Sequence, residues 1–385
     1  MTRRRRTLTL LPLAVLAAAL VWAVAPALST EPYRPAAVDF SQPVPPSKRL
    51  RKATPAAVER AARVGGYGAD GPVLYRSEPV AAPHRFDLVG IAGEMHAFEF
   101  RARESGGGWS RWVETDNGDP VWTGGSDEVQ VRSRNEPIRG TLHYVNVEGD
   151  ATLAGGLVSD LRGAVNSAVI MLAGAGVPEA AAAREPDFIT RREWGANSKP
   201  GGCRPREKPE TGRIKAGVIH HTVSTNTYSE AEAPGIVLGI CRYHRNGNGW
   251  NDIGYNALVD RFGNVYQGRA GGMRRAIVGA HAEGVNTQTT GVAAIGDFTR
   301  HKPPRKLRRG LIRYLSWKLD LAGVPAEGST WLTSTGGPSQ RTPNGQRVKV
   351  KTIFYHGVTN YTACAGAALN RLVPKIRRAV ARKIG

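Results

Sequence analysis

The chain has 385 residues, and its 53 Lys and Arg residues against 32 Asp and Glu give a formal net charge of +21. A hydrophobic content of 41% is enough for a buried core and excludes wholesale disorder. Three cysteines are too few for a disulfide-dense mini-protein, and the single long apolar segment excludes a multi-pass membrane protein. The length predicts two domains or one large domain.

The first residues have the pattern of a targeting segment. Four arginines at positions 3–6 precede an apolar run over residues 8–25, and Ala25-Pro26-Ala27 supplies a small-residue cleavage pattern. We predict a signal peptide over residues 1–29, with an uncleaved membrane anchor as the alternative. Either outcome exports the rest of the chain, so we expect a secreted, extracytoplasmic protein that meets the membrane only if this segment is retained.

The positive charge is spread along the chain and is densest over residues 300–313. Outside the cell this charge does not indicate nucleic acid, and no basic-aromatic RNA-binding signature accompanies it. A solubilising surface is the simplest explanation, and attraction to an anionic cell wall is the alternative.

Composition divides the chain into regions of different character. Residues 30–83 are rich in Pro, Ala and Arg and predict a mostly flexible linker. Residues 84–150 alternate polar and apolar side chains between turn signals and predict a small all-β, sandwich-like domain. Its Trp109, Trp112 and Trp122 could form a sugar-binding face, as in an adhesion module, but packing between strands explains them more simply. Residues 151–186 are rich in Ala and Gly and predict a second linker.

Residues 187–385 predict an α/β domain, because short apolar β-branched runs alternate with helical patterns. Strands are expected at residues 218–221, 255–259, 265–267, 291–296 and 348–356, and helices at residues 234–244 and 307–322. The runs at 255–259 and 265–267 are joined by a short turn and predict a hairpin.

Three potential metal ligands lie near the predicted strand ends of this domain. His220 and His221 end one strand, His356 ends another, and Cys364 follows eight residues later. Imidazole and thiolate together suit zinc, and three protein ligands leave a fourth position for the water of a hydrolytic site. Adjacent strand residues face opposite sides, so only one of His220 and His221 can face the site. A strand-end histidine that is simply hydrogen-bonded within the structure is the alternative.

The cysteine count bears on the same question. In an exported chain Cys203 and Cys241 could form a disulfide, which would leave Cys364 unpaired for a functional role. Pairing of Cys364 with one of the other two remains open at this point.

Six ordered motifs give residues 188–375 a specific resemblance. The motifs are Arg-Glu-Trp-Gly-Ala at 192–196, Ile-His-His-Thr at 219–222, Trp-Asn-Asp-Ile-Gly-Tyr-Asn at 250–256, Gly-Asn-Val-Tyr-Gln-Gly-Arg at 263–269, Gly-Ala-His-Ala-Glu-Gly-Val-Asn at 279–286, and His356 followed by Cys364. In these motifs the chain resembles the superfamily of peptidoglycan recognition proteins and type-2 N-acetylmuramoyl-L-alanine amidases. The resemblance implies a mixed central β-sheet flanked by helices. The upstream β region resembles secreted actinobacterial members, although less specifically.

The resemblance also implies a set of site residues. One Zn²⁺ would be held by His220, His356 and Cys364, which match the three metal ligands of the family. Tyr255 matches the family tyrosine that hydrogen-bonds the zinc water or the polarised carbonyl. Thr362 matches a residue that is Lys in one branch of the family and Thr in the other, and its hydroxyl could steady the developing oxyanion.

Three further residues are candidates for substrate binding. His281 and Asn286 match a motif that borders the substrate groove of the family. Trp250 is a candidate with them, although packing explains both Trp250 and Trp194 more simply than a sugar platform does.

The chain departs from the family in the loop that carries two of the ligands. The common His-Arg-Asp is here His356-Gly357-Val358, and the common Cys-Pro-Gly is Cys364-Ala365-Gly366. The changes remove groups that could brace the loop or orient a ligand. Loss of such groups lowers metal affinity or activity by about 10-fold to 100-fold.

The resemblance therefore implies an exported zinc amidase that hydrolyses the amide between the lactyl group of N-acetylmuramic acid and the L-alanine of the peptidoglycan stem peptide. The alternative is a recognition module that binds peptidoglycan without cleaving it, as family members that lack the Cys do. The retained Cys364 favours the enzyme, and the Gly357-Val358 pair keeps the alternative open.

Overall fold

The computed structural model describes residues 37–50, 72–93, 98–115, 118–134, 136–147 and 183–384. The expected signal peptide at 1–29 and nearly all of the expected linker at 151–186 lie outside the described residues. Among the helices that are described, none combines the length and the apolar character that crossing a membrane requires.

The N-terminal region, residues 37–147, forms an antiparallel β-sheet and is called the β domain below. Its strands are β1 (Val38–Pro43), β2 (Lys48–Arg49), β3 (Tyr75–Arg76), β4 (Val80–Ile91), β5 (Glu99–Arg103), β6 (Val113–Glu114), β7 (Val121–Ser133) and β8 (Thr141–Asn146). Within the described residues the order is β1-β8-β4-β7-β3-β2, with β5 beside β7 and β6 beside β5. The long strands β4 and β7 shift register where they pair, and such irregularities bend a sheet around its core. That core includes Phe86, Phe100 and Tyr144.

The prediction of a flexible linker over residues 30–83 is wrong for the parts that the structure describes. β1, β2, β3 and the start of β4 all come from this segment. β1 pairs along its length with β8, so that Val38 lies opposite Asn146 and Pro43 opposite Thr141. Proline is tolerated there because Pro43 ends a strand at the edge of the sheet. Composition alone could not show this pairing, because the partner strand is distant in sequence.

The tryptophans of the β domain are used for packing. Trp122 is 6% exposed and belongs to a buried cluster shared with the C-terminal domain. Trp109 and Trp112 are partly exposed, and the guanidinium carbon of Arg101 lies 4.6 and 4.7 Å from their ring centroids. Stacking between arginine and tryptophan along the strands therefore accounts for this pair.

Residues 183–384, called the C-terminal domain below, form a mixed sheet between helices. The strands are β9 (Phe188–Ile189), β10 (Ala216–His221), β11 (Ala257–Val259), β12 (Val265–Gln267), β13 (Thr289–Ala294), β14 (Ser329–Thr333), β15 (Arg347–Lys351) and β16 (Ile353–Tyr355), and the helices are α1 (Ala233–Arg242), α2 (Arg305–Leu321), α3 (Ala367–Asn370) and α4 (Val373–Ile384). The central sheet has the order β16-β10-β13-β11-β12-β9 and is parallel except for the β11–β12 hairpin. A π-helical turn, Tyr243–Gly247, extends α1. The predicted fold class of this domain is confirmed.

The prediction of one strand over residues 348–356 is wrong. β15 pairs with β14 in a separate hairpin, whereas β16 pairs with β10 in the central sheet. Thr352 separates the two strands, because its hydroxyl donates to the Ala326 carbonyl and its carbonyl accepts from the Gly217 amide. The chain therefore changes sheets at Thr352, a switch that an unbroken β-like run in the sequence conceals.

Helices cover both faces of the central sheet because its strands are apolar on both sides. On one face α2 and α4 pack over the sheet, and Leu315 joins a buried cluster with Ile219. On the other face α1 packs over the sheet, and Ile236 joins a second cluster with Leu258.

The β domain packs on α1 and on the π-helical turn that follows it. Leu88 of β4 belongs to the same buried cluster as α1. Tyr243 donates a hydrogen bond to the Ile91 carbonyl at 3.0 Å, and Arg242 forms an ion pair with Asp39 at 2.8 Å. The two domains therefore share an apolar core that has polar contacts at its edge.

Candidate metal centre

The pairing of two parallel strands brings two of the predicted ligands together. His220 is the penultimate residue of β10, and His356 follows directly after β16. Ile219 lies opposite Tyr355, so the next residue of each strand reaches the same carboxyl edge of the sheet. A short 3₁₀ turn, His356–Val358, begins the loop that returns Cys364 to this edge.

The three predicted ligands converge on one point. One donor atom from each of His220, His356 and Cys364 lies within 4.8 Å of the other two. Sγ of Cys364 is 3.7 Å from Nδ1 of His220. A tetrahedral site with Zn–S of about 2.3 Å and Zn–N of about 2.0 Å requires a separation of about 3.6 Å between such atoms. All three side chains are buried.

The chemistry of this cluster fits a zinc ion. Nε2 of His356 is buried and has no hydrogen-bond partner among the described residues, which is costly unless a group binds there. Burial, with a smaller contribution from His221, lowers the pKa of His356 to about 3. Burial and then the nearby His356 also lower the pKa of His220 well below its ordinary value. Both imidazoles are therefore neutral near pH 7, and neutral imidazole with thiolate is a zinc-binding set.

His281 lies against a predicted ligand. Its Nδ1 is 3.1 Å from Nε2 of His220, on the other side of the ring from the nitrogen that faces Cys364. Burial, followed by the nearby His356, lowers the pKa of His281 to about 3. A neutral His281 can accept the Nε2 proton of His220, which fixes the tautomer and the orientation of that ring. The sequence indicates a groove-lining residue, and the structure adds this contact with the ligand.

The other two substrate-binding candidates differ in their surroundings. Asn286 accepts hydrogen bonds from the amides of His281 and Ala282 at 2.9 and 2.8 Å, so its side-chain oxygen shapes its own loop. Trp250 is partly exposed, lines the cavity beside the ligands and lies 4.7 Å from the ring of His244. Trp250 is therefore placed to touch a molecule in the cavity, whereas Asn286 supports the segment that carries His281.

Tyr255 and Thr362 both lie at the cluster. The ring centroid of Tyr255 is 5.3 Å from that of His220. The hydroxyl of Tyr255 donates to the carboxylate of Asp119 at 2.5 Å. Thr362 belongs to the loop between His356 and Cys364, called the ligand loop below, and its hydroxyl accepts the amide hydrogen of Cys364 at 3.0 Å. The structure thus brings both hydroxyls to the ligand set, and the Tyr255 proton already has an acceptor.

Sequence reasoning missed Asp119, which comes from the β domain. It lies just before β7 in a turn rich in Gly and Asp, where an acidic residue carries no signal of a site. Its carboxylate also accepts a hydrogen bond from Nε2 of His244 at 2.8 Å. Nδ1 of His244 accepts the amide hydrogen of Gly254 at 3.1 Å, so the ring carries its proton on Nε2. Asp119 therefore bridges His244 and Tyr255 at the edge of the candidate metal centre.

The ligand loop is braced by a residue outside the family motifs. Nε of Arg341 donates to the carbonyls of Gly357 at 3.2 Å and Asn360 at 2.9 Å, and the guanidinium carbon lies 4.5 Å from the Tyr361 ring centroid. A Cβ at position 357 would lie 2.8 Å from the carbonyl oxygen of Thr362, so this loop conformation requires glycine where the family has arginine. Arg341 thus contacts the loop whose usual His-Arg-Asp pattern is lost.

The remaining cysteines and His221 serve the structure around the centre. Cys203 and Cys241 are joined by a disulfide bond, which takes both sulfurs out of any metal site. Cys364 is buried and forms no disulfide with a described residue. His221 accepts the amide hydrogen of Phe298 at its Nδ1, at 3.2 Å.

Comparisons with known proteins concern this same domain. Residues 210–367 match the model of a family described as N-acetylmuramoyl-L-alanine amidase. The chain is 33% identical over 122 residues to peptidoglycan-recognition protein 1 of Holotrichia diomphalia, which covers 32% of this chain and 57% of that protein. It is 36% identical over 119 residues to peptidoglycan-recognition protein SA of Drosophila melanogaster, which covers 31% of this chain and 54% of that protein. The chain thus spans a little over half the length of these curated relatives.

A solved structure of wild-type Drosophila PGRP-LB aligns with 21% identity and a TM-score of 0.37, over 49% of this chain and 92% of that chain. The family match at residues 210–367 includes His220, Tyr255, His356 and Cys364. The C-terminal domain is therefore similar to N-acetylmuramoyl-L-alanine amidases and to peptidoglycan-recognition proteins.

Proposed function

We propose that this chain is an exported, zinc-dependent amidase that hydrolyses the amide between the lactyl group of N-acetylmuramic acid and L-alanine in peptidoglycan. The observation that carries the proposal is the convergence of His220, His356 and Cys364 at the carboxyl edge of the central sheet. Three protein ligands leave a coordination position open, which is the pattern of catalytic zinc sites and not of structural ones.

The side chains divide the work of the reaction among them. Zinc, when bound, would lower the pKa of a water molecule and polarise the scissile carbonyl. His281 holds the ring of His220 in the orientation that turns its Nδ1 toward Cys364. The hydroxyls of Tyr255 and Thr362 donate hydrogen bonds to the carbonyl oxygen as negative charge develops on it.

The proposed substrate and location are consistent with the chain's charge. The curated relatives are named for peptidoglycan recognition, and a formal net charge of +21 suits contact with an anionic cell wall. We therefore propose a secreted or extracytoplasmic protein whose partner is peptidoglycan in the wall.

Release of free amino groups from purified peptidoglycan sacculi tests the proposal. The zinc-loaded full chain is assayed alone, after removal of the metal by a chelator, and after zinc is returned. Release that stops with the chelator and resumes with zinc is the expected result. Amino-group release that continues in the presence of the chelator would contradict zinc dependence. Absence of release in every condition would contradict the amidase activity.

A peptidoglycan-binding module without catalysis is the second candidate. The observation in its favour is the hydrogen bond from Tyr255 to Asp119, which occupies a hydroxyl that the reaction needs. A binding module would sediment with the sacculi and release no amino groups, with or without zinc. The same incubation therefore separates the two candidates.

A further inference from the structure

The candidate metal centre is closed from the side of the β domain. The cavity beside the ligands is lined by residues of both domains, among them Asp119, His220, Trp250, Tyr255, His281 and His356. Asp119 is 8% exposed and Tyr255 is 4% exposed, so both side chains are buried beside the ligands that they border. While these side chains stay in place, they cover the ligands on the side of the β domain.

The hydrogen bonds at Asp119 oppose the proposed chemistry. A phenol has one hydrogen to donate, and that of Tyr255 is directed at the Asp119 carboxylate. Tyr255 therefore cannot donate the same hydrogen to a substrate carbonyl until Asp119 moves away. A carboxylate at this position would also repel the negative charge that develops on the carbonyl oxygen during amide hydrolysis.

The contact is held by the interface between the domains. The side-chain nitrogen of Asn248 donates to the carbonyl of Gly118 at 2.9 Å, directly beside Asp119. Two residues beyond Pro120, Trp122 is buried in the cluster that both domains share. The packed interface between the domains thus positions Asp119 beside the metal centre. His244 donates a hydrogen bond to the carboxylate oxygen that Tyr255 does not use.

We propose that Asp119 is an inhibitory latch, by which the β domain keeps the metal centre closed and holds the Tyr255 hydroxyl away from substrate. The proposal rests on the amidase function proposed above. Peptidoglycan enters the metal centre only when Asp119 leaves Tyr255 and His244. The wild-type chain should therefore hydrolyse peptidoglycan more slowly than a chain in which this contact is broken.

Replacement of the carboxylate in the full chain tests the latch. Asp119→Ala removes both hydrogen bonds, and Asp119→Asn keeps the shape while it removes the charge. Asp127→Ala is the matched control, because Asp127 is a carboxylate of the same domain that binds the Ser105 amide. Two quantities are measured for each zinc-loaded variant: kcat/KM for amino-group release from sacculi, and the rate at which a chelator removes zinc.

We expect Asp119→Ala to raise kcat/KM about tenfold and to hasten zinc removal, with a smaller rise for Asp119→Asn and no change for Asp127→Ala. A fall in kcat/KM for both Asp119 variants, with zinc still bound, would overturn the latch and make Asp119 a helper of the reaction. Unchanged activity and an unchanged rate of zinc removal would also overturn it. If no variant releases amino groups but Asp119→Ala still hastens zinc removal, the latch stands and the amidase proposal fails.

Discussion

Sγ of Cys364 lies 3.7 Å from Nδ1 of His220, although 144 positions separate the two residues in the chain. The parallel pairing of β10 with β16 creates this proximity, because it sets His220 beside His356 at the start of the loop that carries Cys364. A site assembled from two strands and one loop depends on each member, and the thiolate is the strongest zinc donor of the three.

Cys364→Ser is therefore expected to lose zinc. At a zinc concentration about 100 times Kd, the wild-type chain should gain about 2.7 kcal/mol in its free energy of unfolding, and the variant should gain little of this. Metal analysis after dialysis and thermal unfolding with and without zinc measure the two effects. His301→Ala, which removes an exposed histidine, should behave as wild type. Equal zinc content in Cys364→Ser and wild type would show that the metal lies elsewhere.

Tyr255→Phe removes the hydroxyl that we propose to stabilise the carbonyl oxygen. We expect kcat to fall about 100-fold, because one hydrogen-bond donor to the developing charge is lost, while zinc content stays unchanged. Tyr314→Phe is the control: its hydroxyl hydrogen-bonds Thr290 and is also buried. Steady-state kinetics on sacculi measure kcat for both variants. A wild-type kcat in Tyr255→Phe would exclude this role for the hydroxyl.

Arg341→Ala should loosen the ligand loop. The carbonyls of Gly357 and Asn360 lose the hydrogen bonds that Arg341 donates, so we expect zinc affinity to fall by about 10-fold to 100-fold. Arg347→Ala makes the same change of charge on an arginine that stacks on the exposed Trp331 and should leave affinity unchanged. Competition with a metal-binding dye gives both affinities. If the two variants bind zinc equally well, Arg341 does not position the ligands.

Gly90→Ala should disturb the contact between the domains. The added Cβ would lie 2.2 Å from the hydroxyl oxygen of Tyr243 and 2.6 Å from its ring, which the buried ring cannot avoid without a shift. Overpacking of this kind costs about 1–3 kcal/mol in the free energy of unfolding. Urea denaturation measures the loss against Gly108→Ala, where a Cβ meets no atom within 4 Å. Equal stability of the two variants would mean that the domains do not pack here in solution.

The disulfide between Cys203 and Cys241 should stabilise the C-terminal domain. It closes a loop with a sequence separation of 38, and a loop of that length adds about 2–4 kcal/mol by restricting the unfolded chain. The double variant Cys203→Ala with Cys241→Ala is compared with wild type by urea denaturation under oxidising conditions. A stability equal to that of wild type would show that the bond contributes nothing.

The sequence predicted the fold of the C-terminal domain because its signals are local. The run that ends in His220 is apolar and β-branched, and the pattern around Leu311 is helical. Each element can therefore be predicted from a few neighbouring residues. Parallel strands then bring their carboxyl ends together, which is why His220, His356 and Cys364 could be grouped before the structure was known.

The features that the sequence did not predict depend on contacts between distant segments. The hydrogen bond from Tyr255 to Asp119 joins residues 136 positions apart and exists only because the β domain packs on α1. The pairing of β1 with β8 and the change of sheet at Thr352 are likewise set by partner strands far along the chain. Neither composition nor hydrophobic periodicity indicates which distant segments pair with each other.

Mass spectrometry of digested peptidoglycan tests the central proposal most directly, because it identifies the bond that is cut. Zinc-loaded full chain, Asp119→Ala and Cys364→Ser are each incubated with purified sacculi, and the soluble products are analysed. We expect intact stem peptides that begin with a free L-alanine, most abundant with Asp119→Ala and absent with Cys364→Ser. Products cut at any other bond, or the same peptides from Cys364→Ser, would contradict an amidase that acts through this metal centre.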